Sequence, residues 1–270
     1  MFISFNKEDN ILNEKPFLGD EVQFNIFHKI IEGNEVLSLK AENGNAIAMH
    51  NPGYEMWVWV NEETDTNEFE NIIKELCSIL DDNDISGISG NPDVVKKIAD
   101  VYFNHFNVSY KEYMEMNAYE CNRVVSLENS KGKMIKAELK HKDIVAEYCH
   151  GFKKSINGDD IEKEVQLCEA EKLINSGNLY LWEIEDKVVS MANIAHKSPR
   201  HCRINNVYTK TEERKKGYCT SLVANISSKL LENGIMPMLY VEVGNIAANK
   251  IYRNIGYEHR GKINTIMFIY

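Results

Sequence analysis

A basic turn holds the residues with the clearest chemical potential in this chain. It reads Arg214-Lys215-Lys216-Gly217-Tyr218-Cys219-Thr220 and separates a predicted strand from a predicted helix. A glycine followed by small residues lets several backbone N–H groups point at one oxyanion, and the helix dipole and three cations add positive charge. The patterns of a Walker loop and a Rossmann loop are both missing. Many basic turns with one glycine only begin a helix, so the turn alone predicts an anion site of unspecified ligand.

A second group of polar residues follows the next predicted strand. Asn245, Asn249 and Tyr252 are spaced by four and three residues, which places them along one face of a helix. The small Ala248 on the same face leaves room for a ligand. A phenol can donate a proton to a leaving thiolate. A lone tyrosine in an amphipathic helix is more often a core residue, so this group is also ambiguous by itself.

Taken together, the two groups resemble the GCN5-related N-acetyltransferase (GNAT) superfamily. The coenzyme A loop of that family, [QR]-x-x-G-x-[GA], matches Arg214-x-x-Gly217-x-Cys219, with a cysteine in place of the last small residue. The later family motif, N-x-x-A-x-x-x-Y-x-x-x-G-[FY], is complete from Asn245 to Tyr257. The resemblance covers roughly residues 133–270, and both motifs occur in the family's order and at its separation.

This resemblance implies a reaction, a co-substrate and a set of residues. The chain is expected to transfer an acetyl group from acetyl-CoA to a primary amine by direct attack in a ternary complex, without a metal. The pantetheine arm is expected in a V-shaped gap between strands 203–209 and 238–243, paired with the backbone of Val207 and Thr209. Tyr252 is the implied acid. The implied coenzyme A-binding residues are Val207, Tyr208, Thr209, Arg214, Lys215, Lys216, Gly217, Tyr218, Cys219, Thr220, Asn245 and Asn249.

The acceptor amine and its base are not identified by any motif. The acceptor is expected to be a small molecule or a peptide. Glu183, Glu242, His196 and His201 lie on or near the predicted strands of the gap, but each is more often a surface or supporting residue than a base. The alternative to an enzyme is a non-catalytic acyl-CoA-binding regulatory protein on the same fold. Tyr252 favours catalysis, since a pure binder does not need the phenol.

The elements that must position these residues alternate between strands and helices. This order predicts an α/β (α+β) fold with a mixed, mostly antiparallel sheet and flanking helices, which is the GNAT fold. In the part that carries the motifs, we predict strands over 134–139, 178–184, 188–194, 203–209, 238–243 and 265–270, and helices over 143–154, 161–174, 216–233 and 247–255. Asp143 is the predicted N-cap of the first of these helices.

The N-terminal half has a similar element order without the chemistry. We predict helices over 20–31, 66–80 and 93–106 and strands over 35–39, 46–49, 56–60 and 85–89. Neither family motif occurs there. The layout looks like two-part bacterial acetyltransferases whose N-terminal half is a degenerate GNAT-like domain that completes the acceptor pocket. Trp57, Trp59 and Tyr54 are candidates for that pocket, although buried core is the commoner place for two tryptophans on one face of a strand.

Charge and composition support a division into two domains. Residues 1–130 hold 9 Lys/Arg and 24 Asp/Glu, whereas residues 131–270 hold 22 and 17. The sign also changes at a polar stretch, Glu128-Asn129-Ser130-Lys131-Gly132-Lys133, so we predict domains over 1–130 and 131–270. The basic half suits a polyanionic ligand. The net charge of −10 argues against a nucleic-acid partner.

Cysteine usage and hydropathy indicate the compartment. The six cysteines are scattered with no C-x-x-C pair, which argues against a zinc site or a disulfide framework. No apolar run reaches the length of about 18 residues that a membrane span needs. The first residues lack the basic and apolar regions of a signal peptide. We therefore expect a cytoplasmic monomer or homodimer without a membrane partner.

Overall fold

The computed structural model describes residues 1–125, 130–157 and 162–270, and the chain forms two compact units. The first unit comprises residues 1–119, 240–246 and 259–270, and the second comprises residues 120–239 and 247–258. Most of the predicted boundary stretch is described, but Glu128 and Asn129 lie outside the described residues. The predicted division at residue 130 differs from these units, because the last strand of the chain pairs with strands of the first unit.

The elements follow one another in the order that their labels give. The first part of the chain forms β1 (Phe2–Ser4), α1 (Phe27–Ile30), β2 (Leu37–Ala41), β3 (Ala46–His50), β4 (Met56–Val60), α2 (Thr66–Asp82), β5 (Gly87–Gly90), α3 (Pro92–Phe106) and β6 (Ser109–Glu120). The rest forms β7 (Lys133–Lys136), α4 (Lys142–Asn157), α5 (Lys163–Asn175), β8 (Leu179–Ile184), β9 (Lys187–Lys197), β10 (His201–Thr209), α6 (Tyr218–Glu232), β11 (Met236–Glu242), α7 (Ile246–Ile255) and β12 (Glu258–Ile269).

The sheet of the first unit runs in the order β1-β2-β3-β4-β5-β12-β6. β4 and β5 are parallel, and β1 to β4 pair in antiparallel hairpins, as the Asn-Gly turn before β3 predicts. β5 also pairs antiparallel with β12. Apolar faces of α2 and α3 close the core with residues such as Leu76, Ile98 and Tyr102, which are fully buried. Trp57 and Trp59 are buried and Tyr54 is exposed, so the interpretation of the two tryptophans as core residues is confirmed.

The predicted helix over residues 20–31 is wrong. Only α1 is helical there, because hydrogen bonds such as Phe27 N–H to the Phe24 carbonyl and Lys29 N–H to the Ile26 carbonyl close successive turns and not a continuous helix. The sequence prediction also missed β1 and the twelve-residue β6. The predicted strands and helices between residues 35 and 106 all occur, with ends shifted by a few residues.

The sheet of the second unit runs in the order β11-β10-β9-β8-β7. β10 and β11 are parallel, whereas the other neighbours are antiparallel, so the mostly antiparallel mixed sheet is confirmed. Leu179 and Leu181 of β8 belong to a core formed with α4 and α5. Tyr180 between them points to the opposite face, where Lys229 of α6 lies over its ring. Helices therefore cover both faces of this sheet.

Two predicted helix starts are displaced in the second unit. Asp143 is in the first turn of α4 and is not its cap, because a short 3-10 helix, capped by Glu138, leads directly into α4. The helix predicted from residue 216 begins at Tyr218, because Gly217 is its N-cap. No helix among the described residues is long and apolar enough to cross a membrane.

Candidate active site

The basic turn leads directly into α6 without a capping side chain. Gly217 has a φ of +82°, a left-handed conformation that glycine adopts without steric cost. The first bonded amide is that of Ser221, whose N–H donates to the Gly217 carbonyl at 2.9 Å. The N–H groups of Tyr218, Cys219 and Thr220 precede it in the first helical turn. This helix start therefore offers backbone donors and a positive dipole to an anion.

The three cations of the turn have different partners. The Arg214 guanidinium donates through Nε to the Thr209 carbonyl at 3.1 Å and lies over the Tyr208 ring, 5.6 Å from its centroid. Lys216 Nζ is 2.7 Å from Glu213. Lys215 has no ion-pair partner among the residues that the structure describes. Of the three, Lys215 is thus the cation that an anion can recruit without breaking a contact with a described residue.

Glu213 is a residue of the turn that the sequence analysis missed. Its carboxylate pairs with Lys216 at 2.7 Å and with Lys187 at 2.9 Å. Hydrogen bonds from these two lysines lower the pKa of Glu213 to about 2, so it is ionised at neutral pH. The spacing of Glu213 and Lys216 was a visible signal for the first pair, but Lys187 reaches the turn only through the fold.

An open strand edge lies beside the turn. The register of β10 with β11 ends at the pair Arg203–Met238, and β10 continues six residues further to Thr209. Tyr208 turns its carbonyl towards β9, where it accepts a hydrogen bond from Ser190 Oγ at 2.8 Å. Val207 and Thr209 alternate with Tyr208, so their backbone groups face the other edge. The edge predicted to pair with pantetheine is therefore present, with the Thr209 carbonyl occupied by Arg214.

A bulge shapes this edge just before Val207. Asn205 pairs with Asn193 and Tyr208 with Met191, so β10 carries one more residue than β9 between the two pairs. Asn206, inside the bulge, has a φ of +48°, which asparagine tolerates better than most residues. The Tyr208 ring packs against Tyr148 of α4, with ring centroids 5.4 Å apart. The predicted contact of Tyr208 with the cofactor therefore cannot use its carbonyl, which Ser190 occupies.

Tyr252 on α7 is buried, and its hydroxyl has no hydrogen-bond acceptor among the described residues. Burial raises its pKa well above the usual value, and the nearby Cys219 of α6 adds to this effect. Burial also raises the pKa of the Cys219 thiol to about 12. Both groups are therefore neutral at physiological pH. The fold thus brings the predicted acid next to the first turn of α6.

Tyr257 provides a contrast to Tyr252 within the same unit. The two rings meet edge to face, with centroids 5.8 Å apart. The Tyr257 hydroxyl is bonded to Ser227 Oγ at 2.7 Å, which explains its presence in the core. Of these two neighbouring phenols, only that of Tyr252 has a hydroxyl without a hydrogen-bond partner among the described residues.

The two predicted asparagines are placed differently. Asn249 is buried on α7, one turn before Tyr252, within the second unit. Asn245 immediately precedes α7 and belongs to the first unit; its N–H donates to the Glu242 carbonyl at 3.0 Å. The contact of either side chain with the cofactor stays a prediction.

The two histidines considered as bases lie at the wrong end of β10. His201 opens the strand and is 3.3 Å from Glu120, and His196 of β9 pairs with Arg203. A strand rises about 3.3 Å per residue, so His201 is about 25 Å from Thr209, where the turn begins. Neither histidine can take a proton from an amine at the open end of β10.

Of the two glutamates considered as bases, Glu183 is displaced from the open edge of β10. Glu183 lies on β8 and is ion-paired with Lys133 at 3.0 Å. β8 is separated from β10 by β9, which places Glu183 two strands away from the open edge. Glu242 ends β11 and belongs to the first unit. The geometry of the sheet therefore argues against Glu183, His196 and His201, and the role of Glu242 stays open.

Comparisons with known proteins agree with this architecture. Residues 184–266 match the family described as FR47-like protein, which is related to GNAT proteins. A GNAT acetyltransferase from Colwellia psychrerythraea shares 11% identity over 100% of both chains, with a TM-score of 0.57. An N-acetyltransferase from Sphaerobacter thermophilus shares 13% identity over 87% of this chain and 80% of its own, with a TM-score of 0.58.

A GNAT protein from Kribbella flavida shares 13% identity over 83% of this chain and 86% of its own, with a TM-score of 0.52. No curated protein sequence matches the chain. At these identities the structural matches establish the fold. The predicted GNAT fold is thereby confirmed.

Proposed function

We propose that this chain is an N-acetyltransferase that uses acetyl-CoA as donor and a primary amine as acceptor. One observation carries the proposal: the uncapped first turn of α6 lies next to a buried phenol, Tyr252, that has no acceptor in the described protein. The first feature suits a phosphate group and the second suits a thiolate that needs a proton. A coenzyme A thioester carries both chemical groups.

The donor fits the turn and the open edge of β10. A side chain is absent at Gly217, and among the described residues a Cβ built there meets only Ser130 Cβ, at 3.8 Å, so these residues leave the helix start accessible. The N–H groups of Tyr218, Cys219 and Thr220 would hold the pyrophosphate, with Lys215 as the available cation. Val207 and Thr209 would pair with the amides of the pantetheine arm in the manner of an added strand.

Tyr252 has the properties of a proton donor to sulfur. The amine nitrogen attacks the thioester carbonyl carbon, the C–N bond forms and the C–S bond breaks. The nitrogen loses one proton, the sulfur gains one from Tyr252, and the proton from nitrogen restores the phenol through solvent. Because burial keeps Tyr252 protonated at neutral pH, its hydroxyl is ready to donate a hydrogen bond as negative charge develops on sulfur. Tyr257 cannot share this role, since its hydroxyl is bonded to Ser227.

We place the acceptor amine at a cavity of about 300 Å³ where α4 and α5 meet the bulge of β10. Phe152 and Asn206 line the cavity, and Glu169 is its acidic group, 2.7 Å from Lys153 through Oε2. A cationic amine can replace Lys153 beside this carboxylate. Glu169 is therefore a candidate for binding the amine in addition to the residues that the sequence suggested.

A thiol-release assay tests the proposal. Purified protein is incubated with acetyl-CoA and separate panels of small amines, polyamines, aminoglycosides and peptides with free N-termini. We expect release of coenzyme A with at least one amine, together with the acetylated product by mass spectrometry. Tight binding of acetyl-CoA without release by any amine would favour the alternative, an acyl-CoA-binding regulatory protein. The cytoplasm, a monomeric or homodimeric state and the absence of nucleic-acid and membrane partners stay predictions.

A further inference from the structure

A second cavity, of about 410 Å³, lies in the same unit at the other end of α6. β8, β9, the start of β10 and the last turn of α6 surround it. α6 has fifteen residues, so its last turn is about 20 Å from the basic turn at its start. The cavity is therefore separate from the proposed donor site. Its size is that of a small-molecule pocket.

One side of this cavity is apolar. Ile194 of β9, Ile226 and Leu230 of α6, and Ile235 after the helix form its wall. The ring of Tyr180 on β8 adds an aromatic surface, although only 7% of that residue is exposed. Such a wall excludes water from the body of a ligand and favours an apolar group.

Two cations, Lys197 and Lys229, line the cavity, and a third, Lys136, lies over the ring of its Tyr180. Lys229 Nζ lies 5.4 Å from the Tyr180 ring centroid, and Lys136 Nζ of β7 lies 5.9 Å from it, so the ring holds two ammonium groups. Burial raises the pKa of Cys202 in the wall, and the charge of Lys197 of β9 partly opposes that rise. His196 also lines the cavity.

These three lysines differ from most others in the unit. Lys133, Lys142, Lys153 and Lys187 each pair with a glutamate. Among the described residues, Lys136, Lys197 and Lys229 have no carboxylate partner, and no aspartate or glutamate lines the cavity. A cluster of cations without counter-charge is unusual in a chain whose net charge is −10.

The end of α6 does not account for this cluster. The Leu230 carbonyl accepts the Asn233 N–H at 3.0 Å, and the Lys229 carbonyl accepts Asn233 Nδ2 at 2.6 Å, so carbonyls of the last turn are already satisfied. Attraction to the helix dipole explains a lysine at position 229. It does not explain Lys136 and Lys197, which lie on strands.

We propose that this cavity binds a small organic anion, a carboxylate with an apolar body. The carboxylate lies between Lys197 and Lys229, and the body packs on Ile194, Ile226 and the Tyr180 ring. Inorganic anions lack the apolar body, and neutral apolar molecules leave the cations without a partner. The cavity therefore selects molecules that have both features, and it does so independently of the reaction proposed above.

Isothermal titration calorimetry on the full chain tests the site with 4-phenylbutyrate as the probe. Its neutral isostere, 4-phenylbutanol, and inorganic phosphate are the matched comparisons. We expect 4-phenylbutyrate to bind about tenfold or more tightly than either, the equivalent of 1.4 kcal/mol. The double variant Lys197→Gln/Lys229→Gln should lose about tenfold in affinity, whereas Lys163→Gln, with the same kind of change on exposed α5, should bind as the parent does. Circular dichroism checks that each variant is folded.

Four outcomes would overturn the proposal. No binding at about 10 mM probe would show that the cavity does not hold such an anion. Equal affinity for 4-phenylbutanol would remove the role of charge, and equal affinity for phosphate would remove the role of the apolar wall. Unchanged binding in the folded double variant, or loss of binding in Lys215→Gln instead, would move the probe to another part of the surface.

Discussion

Both units contain a parallel pair of strands joined by a helix, and the two helices begin in opposite ways. In the first unit, β4-α2-β5 places Asp65 before α2, where Oδ1 accepts the N–H of Asn67 at 2.9 Å and that of Glu68 at 3.1 Å. In the second unit, β10-α6-β11 places Gly217 before α6, with no side chain on the first amides. A protein carboxylate thus occupies in α2 the position that α6 offers to an external anion.

The next helix of each unit, α3 in the first and α7 in the second, shows a similar difference. Asn91 precedes α3 as Asn245 precedes α7, but the residue seven positions after Asn91 is Ile98, which is fully buried in the core. The corresponding residue in α7 is Tyr252. β5 is paired with β4 to its last residue, Gly90, where a Cβ would lie 2.4 Å from the Val58 carbonyl oxygen. By contrast, β10 runs six residues beyond its last pair with β11.

The comparison teaches that the fold does not by itself make a donor site. The same strand-helix-strand arrangement is closed in the first unit by a carboxylate, an isoleucine and complete strand pairing. It is open in the second, where a glycine, a phenol and an unpaired edge occupy the matching places. Function on this fold therefore depends on a few residues at the helix starts, and substitutions there should convert one type into the other.

The largest effect on acetyl-CoA affinity is expected when α6 receives an N-cap carboxylate like that of α2. Gly217→Asp puts a carboxylate on the first amides and repels the pyrophosphate, so we expect the affinity for acetyl-CoA to fall by about 100-fold, or 2.7 kcal/mol. Gly217→Asn has the same size and the same cost at a φ of +82° but lacks the charge, and it should lose only about tenfold. Calorimetry gives both dissociation constants. Parent-like affinity in a folded Gly217→Asp protein would place the anion elsewhere.

The second change removes the phenol from α7, so that α7, like α3 of the first unit, has no hydroxyl at this position. Tyr252→Phe should lower kcat by about 10- to 100-fold with little change in acetyl-CoA affinity, because the lost group acts on the leaving sulfur. Since the pKa of Tyr252 is raised, the parent should not lose activity through Tyr252 as the pH rises through neutrality to about 10. Steady-state kinetics across pH measures both.

Tyr257→Phe is the matched control for this change. It removes a hydroxyl from the neighbouring ring and leaves Ser227 Oγ without its partner, so we expect about 1 kcal/mol less stability. Its kcat should stay within about twofold of the parent because its hydroxyl faces no reacting group. An equal loss of kcat in both variants would mean that the two phenols act only through packing.

The sequence predicted the donor side of the site because the interactions there are local. Gly217 and the amides after it follow one another in the chain, and Asn249 and Tyr252 share one helix face, so spacing was sufficient. The proposed acceptor side depends on residues far apart in sequence, such as Phe152, Glu169 and Asn206, which only the fold brings to one cavity. His196 and His201 were considered because they adjoin two predicted strands, but the sequence did not show that these strand ends lie far from the turn after Thr209.

A smaller effect should separate the two lysines of the turn. Lys215→Gln should weaken acetyl-CoA binding by about fivefold, because an exposed charge contributes up to about 1 kcal/mol. Lys216→Gln should cost only about twofold, because Glu213 already holds that ammonium group. Both losses should shrink in about 0.5 M salt, where exposed charges are screened. If Lys216→Gln has the larger effect at low salt, then ligand binding breaks the pair with Glu213.

The smallest effect on function is expected at the start of α2. Asp65→Ala removes the cap from Asn67 and Glu68, so the free energy of unfolding should fall by about 1 kcal/mol. Asp65→Asn keeps an acceptor and should lose only a few tenths. Urea denaturation measures stability, and calorimetry should give the parent's acetyl-CoA affinity for both. A change in that affinity of more than about threefold would show that the first unit takes part in donor binding, because Asp65 would then act on an anion as well as on its own helix.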